Sequence, residues 1–259
     1  MQVRVYSDLH LEFNSNFNPG TGDVLVLAGD ICVGNDVKDK GVQKFFKRCA
    51  EGYNKVFYVL GNHEYYSGDL DKTLGYIRDN IPSDIVLLDN NSVFHNGIHF
   101  VGATMWSDFL QQNPQVMDNC KYIMNDYSYI SRNGATLIPE DLCEKHLETR
   151  AWFDQVLPTL RGDVFMITHH QPSLRSVSNT RYDNEVRGAY CTELSDFIMK
   201  HPNVKWWAAG HVHENQDYHI GECNVISNPR GYHPHSLNPG FDPLMALNVS
   251  DKQHSSLAS

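Results

Sequence analysis

Short apolar runs recur along this chain, each cut off by Gly, Asp or Asn, at residues 3–7, 24–28, 56–60, 85–88, 98–103, 164–168, 206–209 and 225–227. Runs of this length between turn-forming residues predict buried strands. Asn96-Gly97 lies between two of them and predicts a type I′ hairpin, since both residues accept positive φ. Gly221-Glu222 predicts a second hairpin. A different period marks residues 37–49, where Val42, Phe45, Phe46 and Cys49 recur at spacings of three and four. Helices are also predicted at 70–77, at 192–199 and at 140–156, where Pro139 suits a helix start and Leu142, His146, Leu147 and Phe153 form the expected face. The early order of strand, helix, strand, helix, strand predicts an α/β fold, and the hairpins make its sheets mixed.

A chain of 259 residues can bury one large core. Residues 1–249 therefore read as a single domain, with 107–138, polar and rich in Asn and Tyr, as an irregular insertion beside the site. Residues 250–259 read as a frayed tail. With a formal charge of −10 and no dense run of Lys or Arg, no extended nucleic-acid surface is evident. The six cysteines are scattered without a CxxC pair, which suits reduced thiols. No basic-then-apolar leader opens the chain and no apolar run is long enough for a bilayer, so a cytoplasmic protein without a membrane partner is expected.

The residues with chemical potential lie just beyond the strands. Asp8-Leu9-His10, Gly29-Asp30, Gly61-Asn62-His63-Glu64, Thr168-His169-His170 and Gly210-His211-Val212-His213 each come just after an apolar run. Loops beyond the ends of parallel strands can converge on one point. Asp8 and His10 are two apart, and in an extended segment they share a side. Asp30 closes a buried run, where a carboxylate needs a partner. A bridging place between two cations supplies one, and an N-cap role is the alternative. The Asn62 amide oxygen is a usable ligand for hard cations, and Gly61 lets the backbone turn beside it. His63 stands next to the site without needing to be a ligand. Either His169 or His170 can be the ligand of its pair, the first being nearer the strand end. His211 and His213 repeat the two-residue spacing. Two divalent ions would bring four positive charges against the two negative charges of Asp8 and Asp30, so an acidic protein can still hold phosphate.

In this order the pieces DxH, GD, GNHE, H and GHxH resemble the calcineurin-like metallophosphoesterase superfamily, from Asp8 to His213. More narrowly, residues 102–106, 168–173 and 228–232 resemble a bacterial and phage branch. The resemblance implies a four-layer α/β/β/α sandwich of two mixed sheets with a dinuclear centre on loops at the strand ends. It implies that Asp8, His10, Asp30 and His213 hold one metal and that Asp30, Asn62, His169 and His211 hold the other. The ions would be Mn2+, Fe2+ or Fe3+, Zn2+ or Co2+, since oxygen and nitrogen ligands suit them comparably. Many members continue GD into GDxxD, but Ile31, Cys32 and Val33 follow Asp30 here. The missing acid, which orients the catalytic histidine, is then absent or supplied by a group such as Asp36.

The implied reaction is hydrolysis of a phosphodiester or phosphomonoester by a hydroxide bridging two metals. Asp30 and Asn62 would position the reacting groups, and His63 would protonate the leaving alkoxide. A nuclease or cyclic-nucleotide phosphodiesterase, and a non-catalytic scaffold of the same fold, are the alternatives. The expected substrate is a phosphorylated small molecule or nucleotide. Arg175, Arg181, Arg187 and Arg230 are candidates to hold a second phosphate, with solvated surface arginine as the plainer reading. Trp106, Tyr127, Tyr129, Tyr232 and His233 could form an aromatic shelf, with core or loop packing as the alternative.

Overall fold

The apolar runs become strands whose alternate side chains face different partners. In the computed structural model, which describes residues 1–177 and 186–250, β1 (Gln2–Tyr6) and β2 (Gly22–Ala28) lead through α1 (Lys40–Gly52) to β3 (Tyr53–Val59). Next come α2 (Thr73–Arg78), β4 (Ile85–Leu87), β5 (Asn91–His95) and β6 (Ile98–Ala103). The middle of the chain holds α3 (Phe109–Gln112), α4 (Pro114–Ile123), α5 (Asp126–Tyr129), β7 (Ser131–Arg132), β8 (Ala135–Thr136) and α6 (Pro139–Val156). It continues with β9 (Asp163–Thr168), α7 (Arg187–Tyr190), α8 (Ser195–Lys200), β10 (Val204–Ala208), β11 (Gln216–Ile220) and β12 (Cys223–Ser227). Three short strands, β13 (Gly231–Tyr232), β14 (Ser236–Leu237) and β15 (Ala246–Asn248), end it.

One large sheet runs β15-β1-β2-β3-β4, the other β11-β12-β10-β9-β6-β5. β1 to β4 are mutually parallel and β15 is antiparallel to β1. In the second sheet β12, β10, β9 and β6 are parallel, while β11 and β5 pair antiparallel at its edges through the two predicted hairpins. Asn96 and Gly97 both have positive φ, as a type I′ turn requires. The period of two sorts the side chains into layers. Val24, Val26 and Ala28 of β2 face the other sheet, packing with Phe57, Phe100, Phe165 and Ile167. Leu25 and Leu27 turn outward onto Val42, Phe45 and Phe46 of α1. Beyond the second sheet, Val164 and Met166 meet Phe153 of α6 and Phe197 of α8. Between the sheets Phe57 stacks on Phe100 at 4.3 Å, a pair worth about 0.5–1.5 kcal/mol beyond its burial. The result is the α/β/β/α sandwich.

Two expectations need correction, for identifiable reasons. The stretch 107–138 is only partly irregular: Phe109–Gln112 runs through positive φ, but α4, α5 and the β7–β8 hairpin follow it. Its polar side chains cap and link short elements, as Asn113 does at the start of α4. Leu147 is 52% exposed, and the buried face of α6 runs through Leu142, His146, Thr149 and Phe153 instead. At 100° per residue, position 147 points well away from that face. All six cysteines are buried and free. Among the described residues no helix is long and apolar enough to cross a membrane. The expected tail beyond 250 lies outside the described residues.

Candidate metal centre

The five polar stretches come after β1, β2, β3, β9 and β10. These are interior strands of their sheets, so their ends lie side by side, at the carboxyl edge where open α/β sheets bind ligands. The turns are tight. Asp8, His10, Asp30, His211 and His213 all have φ between 47° and 73°, a left-handed backbone that costs a residue with a Cβ on the order of 1–2 kcal/mol. The segment at Asp8 is therefore not extended, and its two side chains converge through this backbone rather than through strand alternation. Strain of this kind persists only where the surroundings over-determine it. Here the Asp8 and His10 amides donate to the carbonyls of Gly29 (2.9 Å) and Asp30 (3.1 Å), and the His211 amide donates to Asp8 Oδ1 at 3.0 Å. Gly61 is needed for space and not for a turn: a Cβ there would lie 2.2 Å from Asp30 Oδ1.

Glu64, the last residue of the GNHE stretch, is fully buried and ties two loops together. It accepts from the amides of Asp30 (3.0 Å), Ile31 (2.7 Å) and Gly61 (2.7 Å) and from the Tyr58 hydroxyl (2.6 Å). Burial and then the neighbouring Asp30 push its carboxyl up to about 7, against those four donors.

Three groups of ligand atoms result among the described residues, one of them His10, Glu12 and His63, and the other two meet at Asp30. Asp8, His10, Asp30 and His213 bring one atom each within 4.8 Å of one another, as do Asp30, His169 and His211. Asp30 belongs to both groups. Its Oδ2 lies 3.8 Å from His10 Nε2 and its Oδ1 lies 3.4 Å from His169 Nε2. The carboxylate is not an N-cap; it accepts from the His63 amide at 2.9 Å.

Hydrogen bonds on the far side of each ring test whether these atoms suit cations. His10 Nδ1 is bonded to the Glu12 carboxylate at 3.0 Å, an acceptor, so that nitrogen carries the proton and Nε2 presents a lone pair. That lone pair faces His213 Nε2 at 3.1 Å. His169 Nδ1 is likewise bonded to the Ala28 carbonyl at 2.9 Å, which leaves Nε2 facing the Asn62 oxygen at 3.1 Å. The Asn62 amide nitrogen donates to Asp126 at 2.8 Å, which turns its oxygen to the site. His211 Nε2 is buried without a hydrogen-bond partner. The His169 lone pair facing the Asn62 oxygen, beside the orphaned nitrogen of His211, makes a poor protein interior and a good cation cage. The donor set fits two divalent ions.

Charge balance says the same. Burial pushes Asp30 up, but His169, His63 and His10 outweigh that and hold it well below the usual carboxylate range. Burial pulls His169 down, yet Asp30 and Asp8 drive it up to about 10. A shared proton and a bound cation are alternative answers to this one concentration of acceptors. His170 is not part of it. Its Nδ1 faces the Thr104 carbonyl at 3.4 Å, and burial and then His169 press it down to about 3.

His63 stands at the edge of the cage, stacked on Tyr66 at 4.2 Å, with Nδ1 3.1 Å from Glu12 Oε1 and Nε2 3.4 Å from the Tyr232 hydroxyl. Burial lowers it, but Asp30 and Glu12 outweigh that and raise it to about 9. Asp36 makes no such contact: it lies in the one-turn helix after Asp30, with its amide bonded to Val33. The acid beside His63 is Glu12, and the same oxygen also holds His10. Glu12 and Asp126 are the residues that the motifs do not reveal. Glu12 stands two positions past His10, a spacing visible once the loop is known to turn back. Asp126 comes from a remote segment and left no signal.

The rim differs from expectation. Arg175 bonds the His219 carbonyl at 2.7 Å and lies over the Tyr218 ring at 4.3 Å. Arg230 is buried, 5.0 Å over Phe17. Arg187 bonds the Leu174 carbonyl at 3.1 Å. Each is taken up by local structure, because a long apolar stem packs before its charge can reach out. Arg181 lies outside the described residues. Trp106 and Tyr127 are buried in the core, and His233 contacts Asn14. Tyr129 and Tyr232 do reach a cleft beside His63, lined also by Glu12, Phe13, Tyr66 and His235.

Known proteins share this architecture. The model of the calcineurin-like phosphoesterase family matches residues 1–215, and the chain belongs to that family. It is 28% identical to an uncharacterised protein of Acanthamoeba polyphaga mimivirus over 287 aligned positions, covering 95% of this chain and 96% of that one. Among solved structures it resembles the phosphopantetheinyl hydrolase PptH of Mycobacterium tuberculosis, with TM-score 0.68, 16% identity and 89% of each chain covered. It also resembles a dimetal phosphatase from Danio rerio, with TM-score 0.50, 13% identity and coverage of 88% of this chain and 86% of that one. These two likenesses concern the fold.

Proposed function

We propose that the protein is a metal-dependent phosphoesterase that hydrolyses a phosphomonoester or phosphodiester. The observation that carries this reading is Asp30, whose two oxygens face separate groups of imidazole lone pairs. Asp8, His10, Asp30 and His213 would hold one divalent ion, and Asp30, Asn62, His169 and His211 the other. When bound, such a pair lowers the pKa of water to near neutrality and offsets charge on the phosphoryl oxygens. The chain's own residues do the rest. Glu12 keeps the His10 proton on Nδ1, leaving Nε2 free to ligate. Asp126 and Tyr66 hold the Asn62 amide nitrogen, so its oxygen stays on the site. His63, whose affinity for a proton Asp30 and Glu12 raise and which Glu12 and Tyr66 steady, gives its proton to the leaving oxygen.

The acidic chain and the cleft without Lys or Arg favour a small ester over an extended nucleic acid. Chelation followed by Mn2+ add-back, on a panel of aryl monoesters, aryl diesters, cyclic nucleotides and short single strands, tests the reading. Activity lost on chelation and restored by metal is expected. Metal-independent hydrolysis, or none on any ester, contradicts it.

A further inference from the structure

We propose that the cleft beside His63 receives the leaving group of the substrate, and that this group carries a flat, uncharged ring. The proposal rests on the phosphoesterase reading, because it places the departing alcohol at the proton donor. His63 Nε2 is 3.4 Å from the Tyr232 hydroxyl, so an oxygen protonated there leaves beside the Tyr232 ring. From that point two sets of rings line a cavity of about 460 Å³, within the range that holds small ligands. On one side His63, Tyr66 and Tyr129 form a column with centroid spacings of 4.2 and 5.3 Å. On the other, Tyr232, Phe13 and His235 meet edge to face at 5.6 and 5.9 Å. Among the described residues the two sets touch only at the inner end, where His63 and Tyr232 are 5.9 Å apart. One ring of each set is left bare: Phe13 is 48% and Tyr129 52% exposed.

Bare rings on both sides of a slot are a stacking site for a planar group. Charge narrows the choice. No Lys or Arg lines the cleft and Glu12 stands at its floor. A leaving group with a second phosphate would meet a carboxylate there and no cation, whereas a neutral aryl group or nucleobase would meet ring faces. A nucleoside and a simple aryl alcohol offer the same chemistry.

The test uses the full-length Mn2+-loaded protein and paired esters: benzyl against cyclohexylmethyl phosphate, and adenosine monophosphate against ribose phosphate, each also as its methyl diester. We expect kcat/KM to favour the ring-bearing member about tenfold in at least one pair, the scale of one stacked base. Preference confined to the adenosine pair identifies a nucleobase, and preference confined to the benzyl pair an aryl group. Phe13→Ala and Tyr129→Ala should each cut the ratio about threefold or more. Equal values in both pairs, or a preference that both variants leave intact, overturn the cleft assignment while hydrolysis itself stands. Binding of benzylphosphonate and methylphosphonate by calorimetry separates the two readings if no ester turns over. Tighter binding of the ring-bearing probe, lost in Phe13→Ala, keeps the cleft and removes the hydrolase; equal binding of the two removes both.

Discussion

At Asp30 the carboxylate is buried, fixed by the His63 amide, and mounted on a loop that Glu64 clamps from behind. At Phe13 the ring is half exposed and meets the Tyr232 and His235 rings edge to face. The contrast extends to the surroundings of each. The floor concentrates backbone strain at five candidate ligand positions, and a backbone amide donates to each of its two carboxylates, Asp8 and Asp30. The rim stands on a loop, the end of α5 and the short β13–β14 hairpin, and two of its rings are about half exposed. A dinuclear centre needs atoms held to a few tenths of an ångström before any ligand arrives. A specificity surface needs only the right chemistry at the right distance. On the proposed function, chemistry belongs to the rigid part and substrate choice to the looser one.

Perturbations of the floor should produce the larger effects. Asp30→Asn keeps the shape but weakens the shared ligand, and phosphatase assays should show activity falling to background. Retained turnover would break the comparison at its strongest point. His63→Ala should lower kcat roughly 10²–10⁴-fold while metal analysis still finds two ions per chain, which separates proton transfer from metal holding.

Glu12→Gln probes the boundary between floor and rim, and a loss of about tenfold in kcat is expected. The pH profile tells orientation from mere structure. A His63 pKa raised in the folded protein means that the proton is present below that value and lost as pH rises through it. The alkaline limb of kcat/KM should therefore lie no higher than about 9, since bound cations push in the opposite direction to Asp30. Removing the Glu12 charge should move the limb to lower pH. An unmoved limb would show that Glu12 only packs. Asp126→Asn should have the smallest effect on the floor, a few-fold in metal affinity, because the new side chain keeps an amide oxygen that can accept from Asn62 and Tyr66 in place of the carboxylate.

The floor was legible in the amino-acid sequence because its constraints are local. Each ligand stands within a few positions of a strand end, and the strand itself is marked by its apolar run. The pairing of His211 with one group and His213 with the other came from the family resemblance, since the spacing alone would aim both the same way. Asp126 was hidden because its partner is 64 positions away. Glu12 was hidden by a backbone that turns through positive φ at His10 and brings residue 12 under His63. The arginines misled for another reason. Composition shows how many cations a loop carries, but not that Arg230 lies over Phe17 or that Arg175 stacks on Tyr218.

Anomalous diffraction from crystals grown with Mn2+ tests the central claim most directly. Two peaks about 3.5–4 Å apart, one at each oxygen of Asp30, are the expected result. A single peak, or two that do not share Asp30, would contradict the account.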